Sequence, residues 1–288
     1  MTLRHGVILL AATILVSARP GRGQRAAVPP PGLRLVESAP ALGVVCLDPG
    51  HPSENNSGRA VQHGVTEVEM NWLVAMRMKA LLEQANVKVV LTKASMNQFV
   101  TNQRRAEAAN AARANLFLRL HCDTGKGSGI TFYYPNREGK KGGVRGPSAW
   151  VRAESERAAR IVHDAAVKGL QGALPDNGAH GDDRTRIGGK QGALTGSIYA
   201  RTPVVLVEMV YLSKRTDAAF IRSSRGREAM ARSLTAGVLA YLTKRAYRNG
   251  PVARGQLFPP AAVEVARRLP ASLEPAGPRR PARRRDLV

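Results

Sequence analysis

Three apolar runs in this sequence end in residues able to do chemistry. Val44-Val45-Cys46-Leu47 breaks at Asp48-Pro49-Gly50-His51, Leu118-Arg119-Leu120 ends at His121, and Val205-Leu206-Val207 ends at Glu208. A buried imidazole or carboxylate needs a partner to offset its desolvation, and open α/β sheets gather their chemistry at the carboxyl ends of strands. Two imidazoles and a carboxylate on one rim make a natural metal site. Zinc in hydrolases is commonly held by His, His and Glu, with a further position open to water.

A carboxylate near the first turn would complete the ligand set, and Glu67 and Glu69 are the candidates. Thr66-Glu67-Val68-Glu69 fits a capping box, in which Thr66 is the N-cap and Glu69 reaches back to the Thr66 amide. That gives Glu69 a structural task and leaves Glu67, at the first helical position, free to point toward His51 and His121. Glu69 is the alternative ligand if the cap lies one residue away.

The elements that must hold these residues alternate between strand and helix, the pattern of a parallel or mixed sheet covered by helices. Strands are expected at Val44–Leu47, Val87–Thr92, Leu116–His121, Gly129–Tyr134 and Pro203–Met209. Helices are expected at Thr66–Gln84, with Leu73, Met76, Ala80 and Leu81 on one face, at Thr101–Ala114, at Ala149–Leu170, and as one or two closing helices over Thr216–Leu242. No internal repeat is present, so residues 43–243 are read as one domain.

The 288 residues carry 44 Lys plus Arg against 21 Asp plus Glu, a net charge of +23, with 43% hydrophobic residues. This excludes a collagen, a coiled coil or a wholly disordered chain and predicts attraction to anionic polymers. At the start, Arg4 and His5 precede the apolar run Gly6–Val16, followed by the small residues Ser17 and Ala18. Residues 1–18 therefore read as a secretory signal peptide, too short for a spanning helix, and the protein as exported to periplasm or extracellular space with no transmembrane segment after signal removal. Residues 19–42 read as a flexible leader, and 244–288, with 7 Pro and 11 Lys plus Arg against 3 acids, as a disordered basic tail able to associate with anionic wall or membrane. Arg186, Lys190 and Arg201 add positive charge within the domain.

The order of the motifs is itself informative. Asp48-Pro49-Gly50-His51, then Gly64-x-x-Glu67, then Leu120-His121-x-Asp123, then Val207-Glu208 before Tyr211-Leu212-Ser213 resembles the zinc-dependent N-acetylmuramoyl-L-alanine amidases of the Amidase_3 type, whose motifs run D-x-G-H, G-x-x-E, S-I-H-x-N and V-E-x-G-F-L-S. The resemblance covers about Val44 to Leu242. It implies a twisted, mostly parallel sheet of about six strands flanked by helices, one Zn2+ held by His51, Glu67 and His121, and Glu208 as the catalytic carboxylate. It also implies hydrolysis of the amide between N-acetylmuramic acid and L-alanine in peptidoglycan. The sequence departs from the family where Pro52-Ser53-Glu54-Asn55-Asn56-Ser57-Gly58 replaces two glycines after the first histidine, at Cys122 and Asp123, and at Val210-Tyr211. Some relatives plug the zinc site with a helical insertion. The Gly-rich, polar segment Leu174–Thr202 lacks the apolar period of such a helix, so an open groove is expected.

The remaining histidines and cysteines have plainer readings. His163, among Ile161, Val162 and Ala165, reads as a packed or half-exposed structural histidine, while His63 and His180 lie in polar loops, His180 in one that could line the groove. Cys46 and Cys122 are buried small hydrophobes, for which a bridge is possible in an oxidising compartment. His121 and Cys122 should not both face a metal, since neighbouring strand residues point to opposite faces.

Two rival functions share these features. A zinc peptidase cutting within the stem peptide would use the same metal and carboxylate, and a non-catalytic basic module would bind wall or nucleic acid by charge alone. No recognition helix or stacking aromatics mark a specific nucleic-acid binder, and a binder has no use for Glu208. The expected partner is peptidoglycan, met by a monomer.

Overall fold

The computed structural model describes residues 41–249. The expected export signal, the leader up to residue 40 and the basic tail beyond 249 lie outside the described residues. The chain runs β1 (Gly43–Pro49), the short pair β2 (Val61–Gln62) and β3 (Val65–Thr66), α1 (Glu67–Gln84), β4 (Val87–Leu91), α2 (Asn102–Ala111), β5 (Leu116–Asp123) and β6 (Ile130–Tyr134). It continues through the hairpin β7 (Gly139–Lys141) and β8 (Val144–Gly146), α3 (Ala149–Leu170), β9 (Asp176–Gly181), a 3-10 turn (Asp182–Arg184), α4 (Arg186–Gln191), α5 (Thr195–Ile198), β10 (Val204–Tyr211), α6 (Arg215–Arg222) and α7 (Ser224–Asn249).

Six strands form one sheet in the order β4-β1-β5-β10-β6-β9. All neighbours are parallel except β10 and β6. Strands covered on both faces have no solvent side, which is why β1, β5 and β10 read as nearly unbroken apolar runs. Alternate residues still separate cleanly. Val45, Leu47, Leu116, Leu118, Leu120, Val205 and Val207 pack in the larger core with Met70, Val74 and Met78 of α1 and Leu234, Val238 and Tyr241 of α7. Cys46, Phe117 and Val204 face the other way, onto Ala106 and Ala109 of α2 and Ala200.

Three elements differ from the sequence-based expectation. The buried stripe of α1 holds Met70, Val74, Met78, Leu81 and Leu82, while Leu73 and Met76 are exposed. The stripe is phased by Glu67 and Asn71, which share its face and are buried at the site end. The sixth strand, β9, is Asp-Asn-Gly-Ala-His-Gly, a composition with no strand preference that pairs only as the sheet edge beside β6. The closing region is two helices, within the one or two expected, split at Ser223, whose hydroxyl accepts from the Gly226 amide at 2.9 Å, but α7 continues past the expected end at Leu242 to Asn249.

The second face also carries charge at residues of the same parity. Asp48 at the end of β1 has no exposed surface and accepts from Arg105 Nη1 at 2.6 Å, Arg119 Nε at 2.8 Å and the Thr92 hydroxyl at 2.5 Å. Burial alone would raise this carboxyl, but the Arg105 and Arg119 guanidiniums and the Thr92 hydroxyl hold it well below the usual carboxylate range. Arg105 also donates to the Pro49, Pro52 and Val100 carbonyls at 2.9, 2.8 and 2.9 Å, clamping the turn that carries His51.

Asp48→Asn strands two buried guanidiniums and should lower stability at neutral pH by about 3–5 kcal/mol, read from urea unfolding. Because the folded-state carboxyl is depressed, its contribution is present above the ordinary value near ~4 and is lost as pH falls below it. The stability gap between wild type and variant should therefore narrow on acidification; a gap independent of pH would contradict this account.

Candidate metal centre and active site

The structure brings His51, Glu67 and His121 together, each with a ligand-type atom within 4.8 Å of the others. His51 leaves the end of β1 in a left-handed conformation, φ 57°, which histidine tolerates better than most residues. Its Nδ1 lies 3.0 Å from the Asn56 carbonyl, and its Nε2 lies 3.3 Å from Glu67 Oε1. The bond to Asn56 fixes the proton on Nδ1 and leaves the Nε2 lone pair facing Glu67. The segment that replaces the family's two glycines thus folds into a turn, with Ser53 and Asn56 bridged, that orients the first histidine. Its Glu54 carboxylate accepts from the Asn102 amide at 2.9 Å. The Lys93 ammonium donates to the carbonyls of His51 and Met96.

Glu67 takes the first position of α1, as the capping argument requires. Thr66 is the N-cap, its hydroxyl accepting from the Glu69 amide at 3.4 Å. Only that half of the capping box forms among the described residues, because Thr66 is also paired with Val61 in the short ladder. Glu67 is 7% exposed, and its Oε1 accepts from the Cys122 amide at 3.2 Å and the Asn71 amide group at 3.3 Å. Against the cost of burial, the imidazoles of His121 and His51 hold its carboxyl well below the usual range.

His121 approaches from β5, with Nδ1 3.0 Å from Glu67 Oε1 and its ring edge-on to that of His51, centroids 4.9 Å apart. Burial pulls its pKa down to about 4 in spite of Glu67, so the ring is neutral near pH 7. The imidazole rests on the backbone of Gly50, where a Cβ would lie 2.4 Å from Cε1. Gly50 is therefore required by contact with the second histidine.

The donor chemistry fits a divalent cation. Separations of 3.0 and 3.3 Å from Glu67 Oε1 are close to the edge of about 3.3 Å set by ligands some 2.0 Å from a tetrahedral centre. His121 Nε2 is buried with no hydrogen-bond partner.

Glu208, on β10, is the register neighbour of His121. Its Oε2 is buried without a partner, and burial together with the Glu67 and Asp123 carboxylates pushes its pKa upward. All four residues line one cleft of about 420 Å³, whose other wall includes Arg184, Thr185, Arg186 and Ile187. That wall is built by the Gly-rich, polar segment that lacks the apolar period of a plugging helix, and it forms β9 and the short helices after it.

Glu69, half-buried, lies outside this cluster, as do the other histidines. His163 bridges Asp164 and Asp176 at 2.9 and 2.8 Å and packs edge-on to Phe132, a structural role. His63 contacts the Ser213 carbonyl at 3.1 Å. His180 does not line the cleft, but its Nδ1 accepts from Arg184, which does, at 2.9 Å. Cys46 and Cys122 are free and buried, in cores on opposite faces of the sheet.

Sequence reasoning missed Asn71, Arg119, Arg184 and the clamp by Arg105. Asn71 lies four residues after Glu67 and so on its helix face. Arg119 was visible as a charge inside an apolar strand, two residues before His121.

The family model "Amidase_3: N-acetylmuramoyl-L-alanine amidase" matches residues 45–240. The chain belongs to this amidase family. It is 27% identical to an N-acetylmuramoyl-L-alanine amidase of Mycobacterium tuberculosis over 223 residues, 69% of this chain and 86% of that protein. It is likewise 27% identical to N-acetylmuramoyl-L-alanine amidase LytC of Bacillus subtilis over 206 residues, 70% of this chain and 36% of that longer protein. Among solved structures, the N-acetylmuramyl-L-alanine amidase Ami1 of Mycobacterium smegmatis shares the fold with TM-score 0.60 at 22% identity, covering 72% of this chain and 100% of that one. The chain is thus an amidase, and the non-catalytic basic module is set aside.

Gly50→Ala should push the His121 ring away from Glu67 and weaken binding of an added divalent cation by about 10–100-fold, measured by isothermal titration. Unchanged affinity in a folded variant would remove Gly50 from the site's construction.

Proposed function

We propose that this amidase is a zinc enzyme that hydrolyses the bond between N-acetylmuramic acid and L-alanine in peptidoglycan, with one Zn2+ held by His51, Glu67 and His121. The observation that carries the reading is the convergence of two imidazoles and a carboxylate beside Glu208, whose partnerless oxygen lines the same cleft. A zinc ion there would supply Lewis acidity, polarising the scissile carbonyl and acidifying water.

Glu208 is the proton carrier in this reading. Its raised pKa suits a carboxylate that takes a proton from the attacking water and returns it to the leaving amine as the carbon–nitrogen bond breaks. The products are a lactyl carboxylate and a peptide with a free L-alanine amino group. Asn71 and the Cys122 amide hold Glu67 in place, and Arg184 and Arg186 give the opposite wall the positive charge that an acidic stem peptide would meet.

No helix among the described residues is long and apolar enough to cross a membrane. The charge pattern at the start of the chain supports export to the wall through a signal at 1–18 followed by a leader to 42. The catalytic domain is assigned to 43–243, with the basic remainder associating electrostatically with anionic wall or membrane. The open groove expected from the segment 174–202 predicts activity without an added activator.

Digestion of purified peptidoglycan should release peptides with free L-alanine amino termini, stop on chelation and resume with added Zn2+. Cuts confined to the interior of the stem peptide would favour the peptidase instead. Glu208→Ala should lower turnover by about 10²–10⁴-fold with one zinc per chain retained; full activity in that variant would remove Glu208 from the mechanism.

A further inference from the structure

At the opposite end of the sheet, where β5 and β10 begin, a second cleft of about 470 Å³ is lined by Arg113, Asn115, Trp150, Arg201, Thr202 and Arg245, among others. None of its lining residues is acidic. Arg113 and Arg201 are exposed, and among the described residues neither guanidinium has a hydrogen bond or ion pair. Arg245 lies 5.9 Å from the Trp150 ring centroid and reaches Glu154 only at 3.5 Å. That single carboxylate is shared with Arg157 and Arg248.

The cleft is also shaped. Trp150, the second residue of α3, is 54% exposed, unusual for the largest aromatic side chain. Arg113 stands just after α2 at φ 47°, a conformation that glycine or asparagine would adopt more easily. The amide of Arg201 is held by Asn110 Oδ1 at 2.7 Å, and Asn110 Nδ2 donates to the Tyr199 carbonyl at 2.9 Å, so the loop that presents Arg201 is tied to α2. Beside it, the buried Thr202 hydroxyl has no hydrogen-bond partner.

Two guanidiniums without a carboxylate, those of Arg113 and Arg201, call for an anion, and an exposed indole calls for a flat ligand with an apolar face. The volume suits a ligand of one or two rings. We infer that this cleft binds a sugar acid, a hexose ring stacked on Trp150 with its carboxylate between Arg113 and Arg201. The choice of a sugar over another flat anion rests on the amidase reading, since cutting the muramoyl–alanine amide leaves a free lactyl carboxylate on each processed muramic acid unit of the glycan. A grip on processed units, remote from the scissile bond, would hold the enzyme on the strand and raise the local concentration of its remaining uncut units at the catalytic cleft.

The test is a titration of the full-length protein with N-acetylmuramic acid, followed by tryptophan fluorescence. The expected result is a saturable change, at least tenfold weaker binding of N-acetylglucosamine, which has a similar ring without the lactyl carboxylate, and at least a tenfold loss of affinity in Arg113→Ala/Arg201→Ala. Trp150→Ala, checked for folding by circular dichroism, should lose sugar-acid binding measured by calorimetry. Equal affinity for the two sugars, wild-type affinity in the arginine double variant, no saturable signal, or preference for a single-stranded oligonucleotide would each overturn the assignment. Turnover of a small soluble muramoyl-peptide, measured separately on the unmodified protein, distinguishes the two failures: turnover without sugar-acid binding defeats this site alone, and binding without turnover defeats the amidase reading alone.

Discussion

The site depends on one buried charge cluster. Asp48 lies between Leu47 and Pro49 on β1 with Arg119 of β5 as its register partner, and it is tolerable there only because Arg119 and Arg105, from α2, pair with it. The cluster therefore joins three elements at the strand end where the histidines emerge. Register follows from the same place: Pro49 is opposite Leu120, and the Gly50 amide donates to the Leu120 carbonyl at 2.9 Å. With that bond made, the turn carrying His51 and the strand end carrying His121 have no freedom to separate.

Glu67 then converts two neighbouring histidines into a cluster. It is placed by a helix start, where the backbone dipole favours negative charge, and its Oε1 meets the Asn71 amide group and the Cys122 amide as well as both rings. Glu208 lines the same cleft and has the opposite electrostatics: no hydrogen bond to Oε2, and two carboxylates nearby. One carboxyl is held ionised and the other is pushed toward its neutral form. Environment alone thus drives two carboxyls of the same residue type apart, the divergence that the proposed division of roles between them requires.

How much of this was legible beforehand follows from what each feature requires. His51, His121 and Glu208 stand out in the sequence because a polar residue ending an apolar strand is conspicuous, and Glu67 because Thr66 reads as the helix cap that makes it the first residue of α1, although the Glu69 side chain does not take the capping task expected of it. The Asp48 cluster does not stand out, since nothing local to Arg105, in an alanine-rich helix, says that it will cross to β1. The face of α1 was misphased for a related reason. Its stripe is set by where Glu67 and Asn71 must point, a tertiary demand, and Leu73 and Met76 lie on the exposed side although they are as apolar as the buried residues. β9 was hidden because an edge strand can be recruited by its neighbour's hydrogen bonds with little help from its side chains.

The segment between α3 and β10 shows why glycine content is a poor guide to flexibility. Gly188 is close enough to the Asp182 carbonyl that a Cβ would lie 1.9 Å away, and a Cβ on Gly181 would lie 2.3 Å from the Asn136 side chain. These glycines permit close packing. Asp182, fully buried, accepts from the Leu194 amide at 3.0 Å and so closes the segment on itself. Burial raises that carboxyl to about 6, which limits the cost of keeping it there without a cation. The result is a wall of short, mutually braced elements that brings Arg184, Thr185 and Arg186 to face the histidines. A single apolar helix in the same place would have presented a hydrophobic side to the cleft, whereas this construction presents charge and hydroxyl to whatever the cleft receives.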